Sequence, residues 1–350
     1  MSLNAPPAAS ESATRRGVPV SLLIVVVLVV AGISAGGTAV YFELRPSSTP
    51  PSAVTVTDDL GRSVSVPADP SRVVVLGPNV MDTMFLLGLR SHVVGVDCSN
   101  ASLGGIEGDY TPAQVSQWNL TASMCVVAYP EVSSADLLNR SPQVVLASTV
   151  VSIPGLESWS STYGIPVVFF GPSTLGSVVY DVEMVASIFG MTPTSTHLVR
   201  ELQTALSQST SFLNNLTDNG TPLRSVLMTY YPVPAGEPDA GYYTFGPGSF
   251  GESLIELAGG VNVAGNATTS SPELSGSQVL FDNPSVVIYG TGFGVNLTDY
   301  QEGPDWSSLP AVANGNVTGI DVTIMTEVDP TMVLSLSIIT QLLYPTLPGA

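Results

Sequence analysis

One short pattern occurs twice in this chain. Asp136-Leu-Leu-Asn-Arg-Ser-Pro-Gln-Val-Val-Leu-Ala147 is echoed by Gln278-Val-Leu-Phe-Asp-Asn-Pro-Ser-Val-Val-Ile-Tyr289. In each copy an apolar pair precedes a proline, Pro142 or Pro284, and an apolar run follows it. Proline lacks an N–H and disfavours helical geometry in the residue before it, so each copy predicts helix, tight turn and buried strand in that order. An earlier pair of echoes keeps the same sequence of events. Gly77-Pro78 opens an apolar segment that ends at Leu87-Gly88 and leads into Val93-Val94-Gly95, while Gly246-Pro247 opens one that ends at Ala258-Gly259 and leads into Val261-Asn262-Val263. Two units in matching order predict two similar α/β lobes, with the cleft between them as the natural place for a ligand.

The spacing of apolar residues fills in the rest. Val54 to Val66 alternates around Asp59-Leu60-Gly61 and predicts a hairpin. Arg72 to Leu76, Val93 to Val96, Val126-Val127, Val144 to Ala147 and Ile165 to Phe170 alternate with helical stretches, the pattern of a mainly parallel sheet, and make a first lobe of residues 54–172. Val178, Val179, Val182, Val185, Ile188 and Phe189 recur at helical spacing before Gly190, which predicts an inter-lobe helix over 173–192. A second helical pattern, Leu198 to Leu216, and the strand Ser225 to Tyr231 open the second lobe, residues 193–350.

Residues 18–42 carry no charge and are long enough to cross a bilayer core of about 30 Å. Arg15 and Arg16 precede them, so the positive-inside rule predicts a cytoplasmic segment 1–17, a transmembrane anchor 18–42, a linker 43–53 and everything beyond outside the cell membrane. A cleaved signal peptide is the alternative, because Ala31 to Ala39 is rich in small residues; the apolar run continues past the usual signal core, which favours the anchor.

Charge bounds the partners. Only 11% of residues are charged, none is lysine, and six of the nine arginines remain after Arg15, Arg16 and Arg45 are set aside. Phosphate neutralisation needs clustered Lys and Arg, so nucleic acid is not an expected partner. A neutral polar surface fits an acidic exterior, where the 28 carboxylates would lose most of their charge and a normal basic complement would leave a self-repelling excess; genomic composition bias would give the same sequence. Eight Asn-x-Ser/Thr sequons mark an extracellular glycoprotein: Asn100, Asn119, Asn215, Asn266, Asn296 and Asn316 are the candidates, and Asn139 and Asn219 are weakened by a following proline. Cys98 and Cys125 would, if paired, close a loop worth about 3 to 4 kcal/mol; unpaired, they would be buried thiols.

At this point the residues resemble a known family. Val56-Thr-Asp-Asp-Leu-Gly-Arg-Ser-Val-Ser-Val-Pro67, Pro70-Ser-Arg-Val-Val-Val-Leu76, Leu86-Leu-Gly-Leu89, Ser141-Pro-Gln-Val-Val-Leu-Ala147, Phe245-Gly-Pro-Gly-Ser-Phe-Gly251 and Leu257-Ala-Gly-Gly-Val-Asn262 keep the order seen in the iron/cobalamin periplasmic-binding family. Those proteins are the substrate-binding subunits of ABC importers for ferric siderophores, haem and vitamin B12. The resemblance implies two lobes joined by a long rigid helix, a small closing motion, and an ABC permease and ATPase as partners. It also implies a docking Glu on each lobe; aligned on Pro142 and Pro284 those positions hold Ala135 and Ser277, with Glu131, Asp136 and Glu273 close by as stand-ins. A receptor that kept the fold without importer coupling is the alternative.

Cleft residues should come from loops at the C-terminal ends of strands. Asn79 and Tyr110 are the candidates in the first lobe; Tyr230, Tyr231, Tyr242, Tyr243, Phe245, Phe293 and Trp306 are those in the second, where aromatic rings could stack on a bulky ligand. His92 and His197 stand alone, which offers neither a metal site nor acid/base chemistry, and no nucleophile elbow or phosphate loop is present; neither an enzyme nor a resident cofactor is expected. Scarce arginine disfavours strongly anionic chelates relative to haem, a corrinoid or a neutral to cationic chelate.

Overall fold

Asp58 begins the folded region by closing a turn on itself: its Oδ1 accepts from the N–H groups of Leu60 and Arg62, at 3.2 and 2.9 Å. This turn pairs β1 (Ala53–Thr57) with β2 (Ser63–Pro67) antiparallel. The computed structural model describes residues 53–99, 106–232, 241–301 and 306–347, so the expected anchor, its flanks and the sequon at Asn100 lie outside the described residues. Among the described residues no helix is long and apolar enough to cross a membrane.

The first lobe continues as β3 (Val73–Leu76), α1 (Pro78–Leu86), β4 (Val93–Asp97), α2 (Ile106–Asp109), α3 (Pro112–Gln117), β5 (Cys125–Val126), α4 (Ser134–Asn139), β6 (Val144–Ser148), α5 (Ile153–Tyr163) and β7 (Val167–Phe170). Its sheet runs β5-β4-β3-β6-β7 and is parallel throughout. Alternate side chains serve two cores, as the two-residue period of a strand requires: Val73 and Val75 face the middle of the molecule, Val74 and Leu76 the outer helices. A disulfide joins Cys98 to Cys125, with Cα atoms 5.2 Å apart, and ties the end of β4 to β5.

Two helices make the connection, α6 (Ser177–Ile188) and the 27-residue α7 (Thr192–Asp218). The helix expected over 173–192 is α6, and it stops where Gly190 takes φ +62°, a left-handed conformation; the second helical pattern is α7, which starts earlier than Leu198. Helix α6 packs on β1 and α1 of the first lobe.

The second lobe comprises β8 (Arg224–Pro232), β9 (Gly241–Thr244), α8 (Phe250–Leu257), β10 (Gly260–Asn262), β11 (Glu273–Ser275), α9 (Gly276–Asp282), β12 (Val286–Thr291), α10 (Leu297–Gln301), α11 (Pro310–Ala313), β13 (Val317–Asp321), α12 (Thr323–Thr326), α13 (Pro330–Leu334) and α14 (Leu336–Leu343). Helix α7 lies against α8, α13 and α14. Strands β10, β12 and β13 run parallel to their neighbours, while β9 and β11 add an antiparallel edge. The order β4-β3-β6-β7 has its counterpart in β10-β8-β12-β13. The repeat extends to single residues: Ser133 and Ser275 cap α4 and α9 by accepting from the N–H three residues on, and Ser141 and Asn283, before the two prolines, both take positive φ, +45° and +49°. One continuous core, from Val73 and Val75 through Val182 and Leu202 to Val226 and Met228, joins the lobes.

Candidate ligand site

A cavity of about 440 Å³ opens at the C-terminal ends of β8, β12 and β13, within the range of about 300–1,000 Å³ common for ligand clefts. Tyr230 and Tyr231 come from β8, Tyr243 from β9, Gly290 from β12, and Gly292, Phe293 and Val295 from the loop after β12; Val322 and Thr326 close the far wall. Consecutive strand residues point to opposite faces, so Tyr230 and Tyr231 should not share a cavity. They do so because the pairing of β8 with β9 slips: Thr229 opposes Thr244, but Tyr231 opposes Tyr243, which leaves Tyr230 as the extra residue of a bulge. Both threonines are fully buried and fasten this irregularity, Thr229 Oγ1 donating to Tyr243 O at 2.9 Å and Thr244 Oγ1 to Met228 O at 2.6 Å.

Tyr230 stacks on Tyr243 with centroids 6.2 Å apart and leans on Phe245 at 5.0 Å. Partial burial pushes the Tyr230 phenol above its ordinary pKa, partly offset by a hydrogen bond with Ser271, so it is a neutral donor or acceptor. Phe293 is held in a left-handed conformation, φ +48°, between Gly292 and Gly294, and two backbone hydrogen bonds between Gly292 and Val295 close this turn at 3.1 and 2.8 Å. An aromatic side chain at positive φ costs energy that the closed turn must supply, and the turn sits on the cavity rim. Gly290 marks a close approach: a Cβ there would lie 2.9 Å from Val322 Cγ2 and 3.1 Å from Tyr230 O.

The sequence profile of the periplasmic binding protein family matches residues 73–322, well over half of the chain. The chain belongs to that family. A Cobalamin-binding protein of Halobacterium salinarum is 28% identical over 244 residues, 68% of this chain but 58% of the relative, so this chain spans less than two thirds of that relative's length. An uncharacterized ABC transporter substrate-binding lipoprotein, YvrC, of Bacillus subtilis is 21% identical over 83% of this chain and 86% of its own. Among solved structures, the periplasmic heme-binding protein RhuT from Roseiflexus sp. RS-1 superposes with a TM-score of 0.62 at 18% identity, covering 79% of this chain and 98% of that one, which shows the shared fold.

Within this binding protein the nine residues expected at the cleft separate by place. Tyr230, Tyr231, Tyr243 and Phe293 line the cavity and Phe245 supports it from below. Tyr242 and Trp306 lie in the core behind the sheet, 5.9 Å apart, where they form one aromatic group with Tyr289 and Tyr300. Tyr242 neighbours Tyr243 on an alternating strand, so one of the two must face inward. Tyr110 is fully buried in the first lobe, edge-on to Trp118, and Asn79 sits half-buried at the start of α1; neither lines the cavity. Val295, Val322 and Thr326 went unnamed in the sequence. Val322 and Thr326 lie just after β13, whose Val-Thr-Gly-Ile-Asp lacks an apolar run because every residue of this edge strand is only half-buried.

The other candidate positions are on the surface. Glu131, Glu273 and the aligned Ala135 and Ser277, the last two in the first turns of α4 and α9, are exposed, and Asp136 is half-buried. Asn119, Asn215, Asn266, Asn296 and Asn316 are all exposed.

Proposed function

We propose that this chain is the extracellular solute-binding subunit of an ABC importer, held to the cell membrane by residues 18–42, and that its cavity takes a bulky, flat-faced ligand such as haem, a corrinoid or an iron chelate. The observation that carries the reading is the tyrosine-lined cavity at the strand ends of a periplasmic binding protein. Aromatic faces stack on a macrocycle or on the apolar rim of a chelate, and no arginine lines the cavity to select a strongly anionic one. If the cargo is haem, Tyr231 or Tyr243 could ligate its iron. Among the similar proteins, the Halobacterium salinarum relative is described as cobalamin-binding and RhuT as heme-binding. Titrating the purified full chain with haemin, cyanocobalamin and ferric chelates should quench tryptophan fluorescence through Trp306, which contacts the aromatic group behind the cavity. No response to any of them would overturn the reading.

A second reading rests on Ala135 and Ser277. Both positions are exposed and uncharged where an importer-coupled relative would carry Glu, which supports a receptor that binds ligand without handing it on. Stimulation of a reconstituted permease–ATPase pair by the loaded protein would exclude this second reading.

A further inference from the structure

Three carboxyl groups meet at the lobe boundary and take no part in lining the cavity. Asp82 comes from α1 in the first lobe; Glu327 directly succeeds α12 and Asp329 caps α13 in the second. The bonds of Asp82 and Glu327 bind one lobe to the other. Asp82 Oδ2 accepts from Thr331 N–H and Oγ1–H at 3.3 and 2.8 Å, and Glu327 Oε2 accepts from Gln114 Nε2 of α3 at 3.0 Å. Asp329 Oδ1 is occupied by the N–H of Met332 at 2.8 Å, and Asp82 and Asp329 are 6% and 4% exposed.

Among the described residues no cation offsets them. The described ion pairs are Arg62 with Asp58 and Glu157 and His197 with Glu201, all elsewhere. The titratable groups that act on the trio or lie just beyond are themselves acids: Asp321 at the end of β13, and Tyr110 with Asp97 and Asp109 behind it. On the helices packed against α13, Glu183 of α6 and His197 and Arg200 of α7 are exposed, Glu201 pairs with His197, and Asp181 faces Asp59. Two buried carboxylates and a half-buried third, with no positive partner among the described residues, resist ionising together. Glu327 is the residue after Thr326, and Val322 and Thr326 form the cavity's far wall, so the same short segment belongs to both the boundary and the site.

We infer that Asp82, Glu327 and Asp329 form a proton-operated latch: neutral, they hold the lobes together through Thr331 and Gln114; ionised, they repel, loosen α12 and α13 and shift the cavity wall. Burial raises all three groups, Asp82 to about 6 and the other two well above the ordinary carboxylate range, with mutual repulsion adding to Glu327 and Asp329. A folded-state pKa above the unfolded one means that the closed form binds more protons, so the contact is strongest in acid and weakens as pH rises through these values. The inference stands on the lobe boundary and holds whatever the ligand.

Amide hydrogen exchange on the ligand-free full chain tests it, with rates corrected for intrinsic pH dependence. Residues 323–334 should lose protection relative to β3 and β8 by at least about tenfold between pH 5 and pH 8, the change that Asp82 alone would produce. The combined variant Asp82→Asn, Glu327→Gln, Asp329→Asn keeps every acceptor and a good cap, and should show a flat ratio. A flat ratio in the wild-type protein overturns the latch even if that variant fails to fold, and so does an unchanged slope in the folded variant or in Glu327→Gln alone.

Discussion

Asp181→Asn should make the protein more stable, by an amount that grows with pH. Asp181 lies on α6, 5% exposed, facing the Asp59 carboxylate of the β1–β2 turn, whose Oδ2 already accepts from Gly171 N–H at 2.6 Å. The described structure gives Asp181 Oδ1 no donor, so the two carboxyls can bond only if Asp181 keeps a proton. Burial first, then the charge of Asp59, raises Asp181 from 3.8 to about 8. At pH 7 the unfolded side chain is ionised while the folded one is not, a mismatch of about three pKa units at 1.36 kcal/mol each, or about 4 kcal/mol against folding. Asparagine brings its own N–H to Asp59 and needs no proton. Urea denaturation followed by circular dichroism at pH 3.5, 5, 7 and 8.5 should therefore show little gain from the substitution at pH 3.5, where both states are largely protonated, rising to about 4 kcal/mol at pH 7 and somewhat further at pH 8.5, where it levels off above the folded-state value. A gain independent of pH, or a loss at pH 8.5, would refute the shared-proton account.

The geometry also sets three further outcomes. Replacing Cys98 and Cys125 by serine reopens a 27-residue separation and should lower stability by about 3 to 4 kcal/mol in urea titrations, matched by adding reductant to the wild-type protein. Tyr243→Ala removes the ring stacked on Tyr230 and should weaken binding of whichever probe proves active by about tenfold, with little change in melting temperature. Introducing Ala135→Glu and Ser277→Glu places acids in the first turns of α4 and α9, which should stabilise each by about 0.3–1 kcal/mol; in a reconstituted permease–ATPase system the same pair should raise stimulation of ATP hydrolysis if docking is importer-like.

Much of the architecture was legible because it rests on local chemistry stated twice. Pro142 and Pro284 end helices wherever they are placed, and the valine runs after them have no stable home but the inside of a sheet. Strand β13 was hidden because an edge strand needs no apolar run, and α5 because Ile153-Pro-Gly-Leu buries only Leu156 and Trp159 along its length. The end of α6 was legible too, because the apolar spacing stops at Phe189 and Gly190 takes a left-handed φ that a helix cannot continue. Around the cavity, aromatic content pointed to strands that line it without resolving faces. Tyr242 and Tyr243 differ in fate only by the phase of β9, and Tyr230 and Tyr231 reach one cavity only through a slip in pairing with a distant strand. Tyr110 and Trp306 lie where loops were expected to meet ligand but are drawn into cores by their size.

The bulge at Tyr230 also decides how this site can change. A regular strand offers a ligand every second side chain, so substitution alters which group is presented but never how many. The inserted Tyr230 adds a second ring from the same strand, and its deletion would return Thr229 and Tyr231 to simple alternation and take that ring out of the cavity. Ligand preference in this fold can therefore shift through a single-residue change in chain length at the end of β8, with no substitution at any other cavity-lining position.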